Sequence, residues 1–470
     1  MKRRLLTSAI VTAAGLLSVL PGASAATRPY APVGTVVPNA AQPTLTAFGR
    51  SGLLVTGTRG AARGSANGTL LASVGNHADS GRPVWSRPVR LGLIDQSHPA
   101  QVALDRRGVG AVAWSIRDRH GFGGYSVVRL RSANGSWSTP YRIPGSFEPV
   151  EGVAVNGRGV VAVVADSSSD AYPAVVAIHR PGGRWSIRRL TDVPDAPTSI
   201  AVAPDGSVYL AGAFSQRGAY GSTGFLARIS PQGRMTRTTL PDDRVESVQV
   251  LATPDGHIDL LVGQAHTGKD DWESTADGET YWATHYVVRS RPGATGRWTT
   301  LWDHDGVVDP QATLVGNDVR LTWTQYADPI SNNTDDHTFG NAPQRLELRT
   351  TEIGAATDDP NGTLLVGEPT GLPVTWGGPT IMSSTAASGR CLVVAWRTGT
   401  PSQRSPLSST FDGTVRTWPD TGQVTTYDPE AAAACVAGHG YLARTGDQRV
   451  RGGYSGGFAV SGKLRVESLG

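Results

Sequence analysis

Lysine is almost missing from this 470-residue sequence: Lys2, Lys269 and Lys463 are the only three among 43 basic residues. Positive charge therefore rests on arginine. Three basic residues, Lys2, Arg3 and Arg4, open the chain, and without them 40 stand against 39 acidic ones. No basic cluster with interleaved aromatics occurs, so neither nucleic acid nor an anionic membrane is an expected partner. Cysteine is scarcer still. Cys391 and Cys435 are the only two, and no His/Cys spacing fits a zinc site. Beyond the first residues no apolar run is long enough to span a bilayer, which needs about 20 residues. Helical periodicity is also lacking, apart from the short run Pro429 to Ala434, which leaves an all-β class.

The chain begins with an export pattern. Lys2-Arg3-Arg4 is followed by a mostly apolar stretch of 16 residues, Leu5 to Leu20, then Pro21 and the small residues Ala23-Ser24-Ala25. The pattern is expected to be a signal peptide over 1–25, too short for a membrane anchor. The mature protein is expected to be secreted, extracellular and monomeric, by a route (general or twin-arginine) left open. In an oxidising exterior Cys391 and Cys435 are expected to pair; two separate buried thiols are the alternative.

Internal repetition organises the rest. Each unit shows an apolar strand, a tight turn near Gly and a second apolar strand, as in VALDRRGVGAVAW around Gly108, GVAVNGRGVVAVV around Gly159 and IAVAPDGSVYLAG around Gly206. Pro-Asp-Gly at 204–206 and 254–256 is strong turn chemistry, because Pro presets φ and Gly accepts φ > 0. A second landmark is a Gly turn before an outer strand, often opened by Trp: Gly135-Ser136-Trp137, Gly183-Arg184-Trp185 and Gly296-Arg297-Trp298. Gly422-Gln423-Val424 and Gly462-Lys463-Leu464 fit the same place, and Trp85 marks it in the first unit. Each unit thus reads as four antiparallel strands. Eight units follow, at about 43–95, 98–146, 147–195, 196–243, 244–306, 307–373, 374–429 and 430–470. Four-stranded sheets that repeat radially make a β-propeller, of eight blades or, as the alternative, seven, because the later units are padded and the last is short. Two packed β-sandwiches are the other architecture considered. The N-terminal segment 26–42 carries Thr35-Val36-Val37, a candidate ring-closing strand, and the propeller occupies 43–470.

The pattern resembles the secreted β-propeller proteins of actinobacteria and, more distantly, the sialidase-like and BNR-repeat propellers. The resemblance implies a repeat scaffold rather than an activity, and it makes the recurring Trp residues core. Tyr141-Arg142-Ile143-Pro144 matches the sialidase (Y/F)RIP motif, whose Arg clamps a substrate carboxylate, but Arg142 falls on an expected outer strand. The Asp-box is absent; residues 275–282 approach it with Gly displaced by one. Register places Cys435 on an innermost strand and Cys391 on the second strand of the preceding unit, so a Cys391–Cys435 bridge is expected between the last two blades.

Other motifs carry less. Gly453-Tyr454-Ser455-Gly456-Gly457 fits the nucleophile elbow, yet no helix follows it. Gly263 to Lys269 starts like a P-loop, but Asp270 stands where Ser or Thr would hold Mg²⁺. More informative are two long insertions between second and third strands. In the fifth unit, about 264–283, it holds His266, Asp270, Asp271, Trp272, Glu273, Asp277 and Glu279; in the sixth, about 326–343, it holds Asp328, Asn332, Asn333, Asp335, Asp336 and His337. Both should emerge on one rim, and long loops on a rigid scaffold are where binding residues collect. Their oxygen donors suit Ca²⁺ but match no defined calcium loop, so solvated acidic loops without a cofactor are the simpler expectation. Arg117, Asp118, Arg119 and His120 occupy the matching loop of the second unit. The reading is a secreted, non-catalytic binding propeller for a glycan, peptide or protein. The alternative is a sialidase-like glycoside hydrolase or lyase with its site at the channel.

Overall fold

The computed structural model describes residues 35–470 except 61–65, 119–122, 216–221, 243, 266–283, 327–345, 354–362, 367–379, 388–390, 399–404, 411–414, 418–430, 438, 454–456 and 469–470. The repeat rests on continuous apolar runs rather than alternating ones, and the third unit shows why. Successive side chains of a strand point to opposite faces. On the strand Val161–Ser167, Val161 and Val163 pack with Ala111, Ala113 and Val128 of the second unit. Ala162 and Val164 pack with Val208, Leu210 and Phe225 of the fourth. Both faces are covered by neighbouring blades, so both must be apolar.

Every core cluster among the described residues joins two consecutive units in this way. In each unit the strands, lettered A to D in chain order, pair antiparallel; in the third they are Ser146–Val155, Val161–Ser167, Ala174–His179 and Trp185–Arg189. Strands A touch one another in sequence around the ring, and strand A of the last unit, Ala431–Val436, returns to Ala40–Phe48 of the first. The chain is therefore an all-β propeller with mainly four-stranded antiparallel blades.

Counted by hydrogen-bonded sheets, the described strands give seven blades, the lower of the two expected counts. One sheet has seven strands, because Thr299–Val315 is both strand D of the fifth unit and strand A of the sixth. The eight sequence units thus map onto seven sheets without losing a repeat. The last unit is short because its fourth strand comes from the start of the fold: Thr35–Pro38 pairs antiparallel with Gly457–Ser468.

Three local expectations are corrected. Gly462 is not a turn; it lies within the continuous strand Gly457–Ser468. In the seventh unit the outer strand is Val415–Thr417, ahead of Gly422. The alanine run read with helical periodicity is the strand Ala431–Val436, whose Ala433 and Ala434 are buried at the ring closure. There the neighbouring sheets outweigh alanine's helix preference.

The disulfide Cys391–Cys435 joins strand B of the seventh unit to strand A of the eighth, with Cα atoms 5.9 Å apart. No helix among the described residues is long and apolar enough to cross a membrane.

Candidate functional site

Two rims follow from the strand order. The A–B and C–D turns lie on one, the turn rim. The B–C loops and the links between blades lie on the other, the connection rim. On the turn rim the backbone is locked by local chemistry. Gly206 and Gly256 take φ values of 86° and 96° in the two Pro-Asp-Gly turns, where a side chain would be strained.

On the connection rim, strand A is repeatedly interrupted. The A–B register slips between Ala41 and Thr44, Val150 and Gly152, Val245 and Ser247, Val308 and Gln311, and Ile381 and Ser383. Such bulges leave one residue unpaired and re-aim it. In the third and fifth units the residue at the slip is a glutamate, Glu151 and Glu246. Burial pushes both carboxyls above their ordinary range, and His98 opposes the shift at Glu151.

Glu151 belongs to a charged cluster around the third unit. Asp166 ends the apolar run of strand B, and its carboxyl is pushed up to about 6. Burial is the main cause, followed by the negative charges of Glu151 and Asp195, with His98 acting the other way. Its Oδ1 is buried without a hydrogen-bond partner. His98 opens the second unit and Asp195 closes the third, both on blade-to-blade links, so two successive units contribute to the cluster. A carboxyl held near neutrality can keep or release a proton at physiological pH, and it can accept a hydrogen bond from a hydroxyl or ammonium group.

Beside this cluster the rim is fixed by a buried carboxylate. Asp95, 1% exposed, accepts from Ser97 and from Arg117 Nη2 at 3.0 Å. The Arg117 backbone N–H donates to Asn67 Oδ1, and Asn67 Nδ2 donates to the Arg117 carbonyl. Arg117 is therefore a brace between the first two blades.

The insertion residues His266, Asp270, Asp271, Trp272 and Glu273, and Asp335, Asp336 and His337, lie outside the described residues, as do Arg119 and His120. The strands that flank both insertions end on the connection rim of one sheet. Ala265 pairs with Thr284, and Tyr326 pairs with Leu346. Among the described residues no group of three or more His, Cys, Asp or Glu side chains is placed to hold a metal ion. Residues 275–282 and Ser455 also fall outside the description; Gly453 ends one strand and Gly457 begins the next.

Arg142 sits on the outermost strand of its blade, Tyr141–Arg142. Its guanidinium lies over the Tyr125 ring at 4.1 Å, far from the innermost strands. The recurrent Trp residues Trp85, Trp137, Trp185 and Trp298 each pack one side, partly buried, against a core cluster.

No protein-family model matches the chain, and no curated protein matches its sequence. Solved structures do. A prolyl endopeptidase is 14% identical, with a TM-score of 0.45, covering 88% of this chain and 54% of its own. A streptogramin B lyase is 12% identical, with a TM-score of 0.34 and coverage of 75% and 91%. An ulvan lyase bound to a GlcA–Rha3S saccharide is 9% identical, with a TM-score of 0.45 and coverage of 93% and 98%. The chain spans about half the length of the peptidase. These are distant likenesses of the β-propeller fold.

Proposed function

We propose that the protein is a secreted, non-catalytic binding propeller that uses its connection rim to hold an extracellular glycan, peptide or protein. One observation carries the reading: the strands flanking both acidic insertions end on the rim that also holds Glu151, Asp166, Asp195 and His98. Carboxyls there accept hydrogen bonds from hydroxyl or ammonium groups, the common chemistry of sugars and basic peptides. The sialidase-like alternative draws its motif from Arg142, which braces an outer strand against Tyr125. Without it, converging Arg and Tyr groups would have to come from elsewhere.

Glycan-array and peptide-array binding of the mature protein, run beside a panel of fluorogenic glycosides, tests this. Binding without turnover is expected. Replacing 266–283 by a short Gly-Ser turn between the paired Ala265 and Thr284 should abolish or weaken that binding by at least about tenfold. Turnover of any glycoside that is lost in Arg142→Ala would overturn the reading in favour of the hydrolase.

A further inference from the structure

The opposite rim carries a different feature. Three blades share a brace in which a cation or imidazole at the end of strand C meets an aromatic ring. In the third, His179 packs on its own unit's Trp185, with centroids 5.2 Å apart. In the fifth, Arg291 lies over its own Trp298 at 4.4 Å. The second unit departs from this. Arg131 lies instead over Phe48 of the first unit, 4.7 Å from the ring centroid. Trp137, the partner expected from the repeat, is left to line a cavity of about 450 Å³ between the two blades.

The cavity is a half-open cleft with a mixed lining. Phe48, Val74 and Trp137 give it an apolar wall; Arg131, Asn76 and Asn134 give it polar groups. Arg131 is 6% exposed. Nη1 donates to the Gly108 carbonyl at 2.7 Å, and Nε is buried without a partner. Among the described residues no carboxylate pairs with this guanidinium. A buried cation lacking a counter-charge is costly, and an arriving anion removes that cost. Asn134 Oδ1 is taken by Ser132 and the Ser136 N–H, which leaves its amide NH₂ to donate. The volume lies within the range of small-ligand sites.

We propose that this cavity between the first two blades binds a carboxylate-bearing, sugar-sized ligand, with Arg131 as the partner of the carboxylate and Trp137 as the platform for the ring. The chemistry selects the class. A planar guanidinium favours carboxylate, an indole face favours the C–H side of a sugar ring, and the free amide favours ring hydroxyls. A hexuronate combines all three. The site lies on the turn rim and stands or falls independently of the connection-rim reading.

Glucuronate and glucose titrated into the full mature chain by calorimetry or saturation-transfer NMR provide the test. Glucuronate should bind at least about tenfold more tightly than glucose, the difference that one charge-assisted hydrogen bond supplies. Arg131→Gln should remove that preference. Because Arg131 also holds the Gly108 carbonyl, this variant could fail to fold, so Ala133→Phe is the second arm. Ala133 is exposed on the C–D turn, lines the cavity and is not part of the Arg131–Phe48 brace, so a ring there is expected to compete for the space with a ligand. It should abolish glucuronate binding with an unchanged melting temperature. Equal binding of the two sugars, no saturable binding by the folded wild type, or binding that survives Ala133→Phe would each overturn the proposal.

Discussion

At the scale of single residues, Asp166 is the group whose behaviour departs most from its surroundings in sequence. It ends the run Val160 to Ala165, and its carboxyl is held near 6 by burial beside Glu151 and Asp195. The sign follows from linkage. The folded protein holds this proton more tightly than the unfolded chain. The stability it contributes is therefore present below the ordinary value of 3.8 and is lost as the pH rises through about 6. Asp166→Asn is expected to be more stable than wild type at pH 7.5, by on the order of 1 kcal/mol after solvent screening. Near pH 4 the two should match. Urea unfolding at both pH values reads the difference, and a variant less stable than wild type at pH 7.5 would mean that the carboxylate is favourably paired. The sequence hides this cluster because its members are separated by tens of residues and joined only by the closing of the ring. A lone acid at the end of an apolar run is the one local sign of it. The insertion residues such as Asp270 and Asp335 are conspicuous for the opposite reason: their acids are adjacent in the chain.

At the scale of elements, the A–B turn does more than reverse the chain. Asn156 Oδ1 accepts from the Arg158 and Val160 backbone N–H groups, each at 3.0 Å. Its Nδ2 donates to the Ala203 carbonyl, in the corresponding turn of the next blade, at 2.8 Å. One buried amide thus shapes its own turn and staples it to its neighbour. Asn156→Ala would leave the Arg158 and Val160 N–H groups without their acceptor, while the Ala203 carbonyl keeps its bond from the Gly206 N–H, at a cost of about 1–3 kcal/mol. Asn156→Asp keeps the two acceptor bonds but sets a carboxyl oxygen against the Ala203 carbonyl in place of the donor, so at pH 4, where that carboxyl is more easily protonated, it should cost less than Asn156→Ala. Chemical denaturation that ranked the two the other way would remove the staple from the account. Strands, turns and the repeat are legible in the sequence because each has a local cause: apolar runs for sheets covered on both faces, Gly for φ > 0. The bulges at Glu151 and Glu246 are not, since a slip of register depends on the partner strand. The strand Thr299–Val315 is hidden likewise: nothing local marks one strand as serving two units.

At the scale of the whole molecule, a propeller is only as stable as its closure, and here closure depends on the last unit. That unit is held to the first by Thr35–Pro38, where Val37 is fully buried and Val36 nearly so. Tyr441 reaches the same junction. Its hydroxyl donates to the Ala78 carbonyl of the first unit, and burial pushes it up to about 12. To the seventh unit it is held by Cys391–Cys435, a cross-link spanning 44 residues, worth about 4 kcal/mol against global unfolding on the chain-entropy account. The two restraints lie on opposite sides of one blade, which makes them interdependent for local opening. With the strand in place, reduction leaves the eighth unit clamped by the first. With the bridge in place, a weakened strand leaves it tethered to the seventh. Val37→Ala should cost about 2 kcal/mol by lost packing. Reduced Val37→Ala should then be nicked by protease within residues 431–468 faster than the separate effects of mutation and reduction would multiply to give. The excess should correspond to a coupling on the order of 1 kcal/mol. Cleavage rates that multiply without excess would mean that the two junctions open independently, and that the ring, once formed, is held blade by blade rather than by its closure.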